Sequence, residues 1–239
     1  MFYAQSMVLV AVVITLIVVV VLYLHMLRKN CITDWPHQKI LIITRENRNH
    51  TFVTEHDINI EKYCRRHDYT YKRIRTECSN LPIYWCKIQD LLNHISGYDY
   101  VVWLDSDTHI NHMDRPLESI IRKDITIGQD HHQKVYNAGF FVVKNSKVGR
   151  QFLQDCLQYF EDHRDSCVDK NGRLLGKWSG VCYEQGVMNI LLKSKYKNNV
   201  HVTRDVSNSI YCNDSVMITH LFRSSPEQRL RCMQRRIKI

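Results

Sequence analysis

Two aspartates, Asp105 and Asp107, follow the apolar run YVVWL within the stretch YDYVVWLDSDTHIN. Side chains two apart on an extended chain point the same way, so both carboxylates converge on one spot. Left alone they repel each other, and a cation between them removes the repulsion. Oxygen ligands suit a hard divalent ion, Mg²⁺ or Mn²⁺, which keeps positions open for phosphate oxygens. A D-x-D triplet also arises by chance as a solvated turn. What distinguishes this one is its place at the end of an apolar strand, because α/β sheets bind ligands beyond the carboxyl ends of their strands.

Other residues could share that chemistry, each with a plainer alternative. Lys87, upstream, suits a phosphate or is ordinary surface. Asn137-Ala138-Gly139 combines an amide that both donates and accepts with a glycine that lets backbone approach a ligand; equally, it is a turn entering a strand. Glu184-Gln185 opens an apolar helical stretch, where an acidic residue also serves to balance the helix N-terminus. His220 follows the apolar run VMIT and is structural unless partnered.

The elements that must position these groups are legible from periodicity. Lys39 to Thr44 (KILIIT), Tyr100 to Leu104 (YVVWL) and Ala138 to Val143 (AGFFVV) are short apolar runs expected to be buried strands, and TYKRIRT is a further strand. Helical spacing is expected over 57–68, 84–95, 147–163 and 184–193. Strands alternating with helices predict an α/β sandwich with a mostly parallel sheet. No internal repeat is evident.

Two enzyme classes place D-x-D after a buried strand. In haloacid dehalogenase-type phosphotransferases the first Asp attacks phosphorus and a Thr follows two residues after the second. Here Thr108 falls one place early, and that motif usually sits on the first strand. The second class is the GT-A glycosyltransferases. The order Trp85-Cys86-Lys87-Ile88, Asp105-Ser106-Asp107, Asn137-Ala138-Gly139, Glu184-Gln185 and His220 resembles glycosyltransferase family 34 and its relatives, over about residues 39–223. The resemblance implies a GT-A-like three-layer α/β/α sandwich with a mostly parallel central sheet. It implies Asp105, Asp107 and His220 as ligands of Mn²⁺ (or Mg²⁺), and a UDP- or GDP-sugar donor held by Lys87, Asp105, Ser106, Asn137, Ala138 and Gly139. It also implies Glu184 and Gln185 against the transferred sugar, a glycan or glycoprotein acceptor, and a retaining outcome. The chain departs from the family after the histidine, where His220-Leu221-Phe222-Arg223 replaces an expected glycine; Arg223 is then a further candidate for the donor phosphates. A non-catalytic module that kept the fold is the remaining alternative.

Residues 1–6 form a tail, and the run over 7–27 is apolar and long enough to cross a bilayer, so an uncleaved single-pass signal-anchor is expected, with a stem over 28–38 and a catalytic domain over 39–239. Arg28 and Lys29 after the span would keep the domain in the cytoplasm by the positive-inside tendency. Two sequons, at Asn49 and Asn213, and nine cysteines point toward a lumen without deciding it. The resemblance implies a type II protein of the Golgi with a luminal domain. The net charge is +9, part of it in the tail Arg229, Arg231, Arg235, Arg236 and Lys238, expected to be solvated, with anionic phosphates or lipid headgroups as the alternative partner. No nucleic-acid-binding signature is present.

Overall fold

The computed structural model describes residues 14–21, 23, 38–78, 80–130 and 135–234. Chain contacts divide it into two units, Met1–His37 and Gln38–Ile239. In the first, 14–21 and 23 are helical, and their apolar side chains are exposed. Among the described residues no helix is long and apolar enough to cross a membrane; most of the expected span over 7–27 lies outside them.

In the second unit the central sheet is built of β1 (Ile40–Arg45), β2 (Thr70–Ile74), β3 (Tyr100–Leu104), β5 (Ile125–Asp130), β6 (Val135–Lys144) and β7 (Val200–Thr203), in the order β2-β1-β3-β6-β5-β7. β1 is parallel to β2 and β3, and β5 to β7, whereas β6 runs against both its neighbours. The expectation of a mostly parallel sheet therefore holds with one reversed strand. Periodicity could not reveal that reversal, since β3 and β6 read as apolar on both faces in either direction. A second sheet, β4 (Thr108–Ile110), β9 (Ile218–His220) and β8 (Val206–Asn208), lies in the order β4-β9-β8.

Helices cover both faces of the central sheet. On one, Leu41, Ile43, Val101, Trp103, Phe141 and Val143 pack with α2 (Cys86–His94), α3 (Lys147–Cys167) and α4 (Glu184–Lys193), through Ile88, Leu91, Phe152, Phe160, Val187 and Met188. On the other, Ile40, Ile42, Val102, Leu104, Phe140 and Val142 meet Ile60 and Tyr63 of α1 (Thr51–His67), together with Ile110, Val206 and Ile218 of the second sheet. The alternation along β1, β3 and β6 is thus a division between two cores.

α1 begins at Thr51, not at 57. Its buried positions 52, 53, 56, 59, 60, 63 and 64 keep helical spacing, but His56 and Asn59 fill two of them and blank the apolar signal. Both are partnered: Asn59 Nδ2 donates to Ile110 O at 3.0 Å, and His56 Nδ1 lies 2.8 Å from Thr108 O. α3 begins where Ser146 Oγ accepts from Gly149 N at 3.0 Å. A final helix, α5 (Pro226–Gln234), packs Cys232 and Met233 on Phe52 and Val53. Disulfides join Cys78 to Cys86, Cys167 to Cys182 and Cys212 to Cys232, while Cys64 and Cys156 are buried free thiols.

Candidate metal and donor site

Asp105 follows the carboxyl end of β3, and Asp107 precedes β4, so the aspartate pair bridges the two sheets. β4 lies antiparallel to β9 with Thr108 opposite His220, and Leu221 N donates to Asp107 O at 2.9 Å. That register brings a residue more than a hundred positions away against the pair. His220 Nε2 lies 3.2 Å from Asp107 Oδ1 and 3.7 Å from Asp105 Oδ2. One ligand atom from each of the three falls within 4.8 Å of the others; among the described residues it is the one such cluster.

The other imidazole nitrogen, Nδ1, lies 2.9 Å from Asn208 Oδ1, which fixes the ring and aims Nε2 at the carboxylates. Gly139 supplies the space. A β-carbon there would stand 2.3 Å from Cε1 of His220 and 2.7 Å from its Nε2. The space left by the missing side chain is filled by the His220 imidazole.

Lys87 projects from α2 into the same region, nearly buried. Its ammonium lies 3.1 Å from Asp105 Oδ1 and 3.1 Å from Glu184 Oε1, and donates to Ala138 O at 3.3 Å. Burial alone would push its pKa down, but Asp105 and Glu184 outweigh it and hold the pKa above the usual lysine range. Glu184, at the start of α4, has its pKa raised by burial despite Lys87, and its second oxygen has no hydrogen-bond partner. Gln185 accepts from Ala138 N at 2.9 Å. Asn137 Oδ1 accepts from Gly139 N at 2.8 Å, and Asn137 lies inside β6, not in a turn before it. Ala138 is therefore committed through both backbone groups to Gln185 and Lys87. Ser106 donates to Glu46 Oε2 at 2.8 Å, so its hydroxyl braces the loop.

Arg223 lines the cavity with a positive φ of 57°, and it forms no ion pair among the described residues. The ion pair that the sequence concealed belongs to Arg229. This residue of the basic tail was expected to be solvated; α5 instead carries it inward, where Nη2 meets Asp107 Oδ2 at 2.8 Å and the guanidinium lies over the Phe52 ring. Arg235, Arg236 and Lys238 lie outside the described residues. Trp103 and Asn208 were also missed. Trp103 donates to Asp105 Oδ1 at 2.6 Å, and its adjacency to the aspartates was the one available signal.

Two cavities meet at these groups. One, of about 450 Å³, is lined by Lys87, Asp105, Asp107, Asn137, Gln185 and His220 among others. The second, of about 260 Å³, lies past the end of β1 against Arg45, Glu46, Arg48 and Tyr84, and shares Lys87, both aspartates and Arg229. Two carboxylates and one oriented imidazole suit a divalent ion of Mn²⁺ or Mg²⁺ type, with Lys87 and Arg229 placed to take negative charge beside it.

No protein-family model and no curated protein matches the chain in sequence. Solved structures do. A glycosyltransferase involved in glycosylation of the major capsid of PBCV-1 superposes with a TM-score of 0.60 at 15% identity, covering 82% of this chain and 99% of that one. The apo form of the glycosyltransferase GlyE of Streptococcus pneumoniae TIGR4 gives 0.50 at 11% identity, covering 82% of this chain and 60% of that one. The α/β fold with its mostly parallel sheet is thus the GT-A fold of solved glycosyltransferases.

Proposed function

We propose that this protein is a metal-dependent glycosyltransferase that moves a hexosyl or pentosyl unit from a UDP- or GDP-sugar to a glycan or glycoprotein acceptor with retention. The observation that carries this is the convergence of Asp105 and Asp107, from the β3–β4 connection, with His220 of β9, where two cavities meet at the aspartates. The cavity past β1 suits the nucleoside, the larger one suits the sugars, and the shared acids and cations lie where a diphosphate would bridge them.

Transfer breaks the bond between the anomeric carbon and the diphosphate while an acceptor hydroxyl oxygen bonds to that carbon; the hydroxyl proton leaves with the nucleoside diphosphate. Asp105, Asp107 and His220 would hold the divalent ion, which would supply Lewis-acid stabilisation of the leaving group. Lys87 and Arg229 present fixed positive charge to the same diphosphate, which needs no reorganisation as negative charge grows. The Glu184 carboxyl, in contact with Lys87, lines the larger cavity, where it is placed to offset positive charge at the anomeric carbon. Gln185, anchored on Ala138, orients the sugar. The phosphotransferase alternative fits less well, since Asp105 follows the third strand and its Oδ1 is already held by Lys87 and Trp103.

The proposal includes a single-pass anchor over 7–27 and a domain facing the Golgi lumen. Three disulfides support an oxidising compartment.

The test is thermal unfolding of the purified full chain with a panel of UDP- and GDP-sugars, with and without Mn²⁺. A bound donor at a hundred times its dissociation constant should stabilise by ~2.7 kcal/mol. Absence of any metal-dependent shift across the panel would overturn the assignment.

A further inference from the structure

Two aromatic rings, Trp178 and Phe222, line the larger cavity, and Tyr84 and Tyr183 stand behind Trp178. Trp178 has 54% of its surface exposed. Tyr84 meets Trp178 edge-on, 4.8 Å between centroids, and Tyr183 closes the triangle at 5.3 Å from Tyr84 and 5.2 Å from Trp178. Phe222 lines the same cavity beside His220. Left in water, such rings forgo burial worth ~1.5–3 kcal/mol each. A contiguous exposed apolar patch ordinarily marks a binding surface.

The rings are held, not loose. Trp178 sits in a tight turn where Gly180 N donates to Lys177 O at 2.9 Å, and Tyr183 N donates to Gly180 O at 3.0 Å. That turn is pressed on α4, since a β-carbon at Gly186 would lie 2.0 Å from Gly180 O. The Cys167–Cys182 disulfide closes the loop bearing Trp178, and Cys78–Cys86 closes the loop bearing Tyr84. The two loops are joined where Trp85 Nε1 donates to Cys182 O at 2.9 Å. A preorganised surface of this kind binds without first losing side-chain entropy.

The rest of the wall decides what it binds. Beside the rings the cavity presents Asn137, Gln185, Glu184 and Arg223. An acyl chain would want a continuous apolar trough, and this wall is amide, carboxylate and guanidinium. A pyranose ring matches both halves, with an apolar C–H face for the indole and a rim of hydroxyls for the polar groups.

We propose that Trp178, backed by Tyr84 and Tyr183, is the acceptor platform, stacking on the pyranose ring of a carbohydrate so that the unit passes to a sugar hydroxyl. This deepens the sugar-transfer assignment and rests on it. Trp178 lines the sugar-side cavity and not the cavity past β1, whereas Tyr84 lines the latter, so Trp178 is the position at which acceptor and nucleotide binding can be separated by experiment.

The test uses the full chain with Mn²⁺, its best donor from the panel, and two acceptor sets: methyl glycosides of glucose, galactose, mannose and xylose, and a Ser/Thr-rich peptide. Trp178→Ala should raise the KM for the accepted methyl glycoside about tenfold with a much smaller change in kcat. Trp178→Phe, which keeps an aromatic face, should recover most of that loss. In the wild type the same glycoside should quench tryptophan fluorescence, and in Trp178→Phe the quench should vanish, a readout that holds even if the alanine variant folds poorly. Nucleotide stabilisation that persists with an unchanged KM, with no glycoside quench, or with transfer to the peptide alone overturns the platform and leaves the glycosyltransferase assignment standing. Loss of metal-dependent stabilisation by UDP and GDP in the wild type overturns both.

Discussion

Gly139 and His220 are matched so closely that no β-carbon fits between them: one placed at Gly139 would stand 2.3 Å from Cε1. The backbone at Gly139 also accepts from Asp105 N at 2.9 Å, so this single position touches two of the three residues proposed to hold the metal. Gly139→Ala is expected to push the imidazole away from the carboxylates. Overpacking of this kind costs ~1–3 kcal/mol, but the larger effect should be on the metal. Stabilisation by Mn²⁺ in thermal unfolding should disappear in the variant while its circular dichroism stays that of the wild type.

Lys87 neutralises two carboxylates, one of them buried Glu184. Lys87→Met leaves that charge unpaired and should destabilise the fold by ~3–5 kcal/mol, measured by urea unfolding. Adding Glu184→Gln should return part of the loss, because the charge left stranded is then gone. A double variant no more stable than Lys87→Met would show that the two residues are not coupled.

Arg229 bonds Asp107 from the last described helix, itself tied to Cys212 through Cys232. Arg229→Ala should lower stability by ~1.5–3 kcal/mol, the scale of one hydrogen bond to a charged group. Its stronger signature should be weaker stabilisation by UDP or GDP in the presence of Mn²⁺, read in the same melting assay.

Glu46 braces Ser106 between the two aspartates. Burial would raise its pKa, but hydrogen bonds from Arg48 and Ser106 outweigh this and hold it down, at about 2. With the folded pKa below the unfolded value, its contribution is present above about pH 4.5 and is lost as pH falls through about 2. Glu46→Gln should therefore flatten the stability curve between those values, as seen in acid unfolding followed by fluorescence.

Asn49 is exposed, whereas Asn213 has its side-chain oxygen engaged by Ser215 at 2.6 Å. A luminal domain should carry a glycan at Asn49, visible as a mobility shift on glycosidase treatment that Asn49→Gln abolishes. An unoccupied Asn49 in protein from secretory membranes would argue for the opposite topology.

Part of this site was legible in the chain. The aspartate pair pointed to a cation by its place at a strand end, where short-range pattern suffices, while its grouping with Lys87, Glu184-Gln185 and His220 and the sugar nucleotide were expected from the resemblance of their order to a known family. Arg229 was not legible. In a basic tail it looks like its neighbours, and only packing of Met233 and Cys232 on α1 turns it inward. The start of α1 was hidden for the converse reason, with buried polar groups occupying positions that hydrophobic pattern expects to be apolar.

The sequence by itself determined the buried strands, most helices and the types of residue available for chemistry, since these depend on periodicity and on side-chain identity. The tertiary structure alone decided that β6 is reversed, that β9 lies beside β4 and that Trp178 stands at the cavity rim. Those are relations between segments far apart along the chain. They are set by strand register and by which surfaces can be buried together, which no local spacing records.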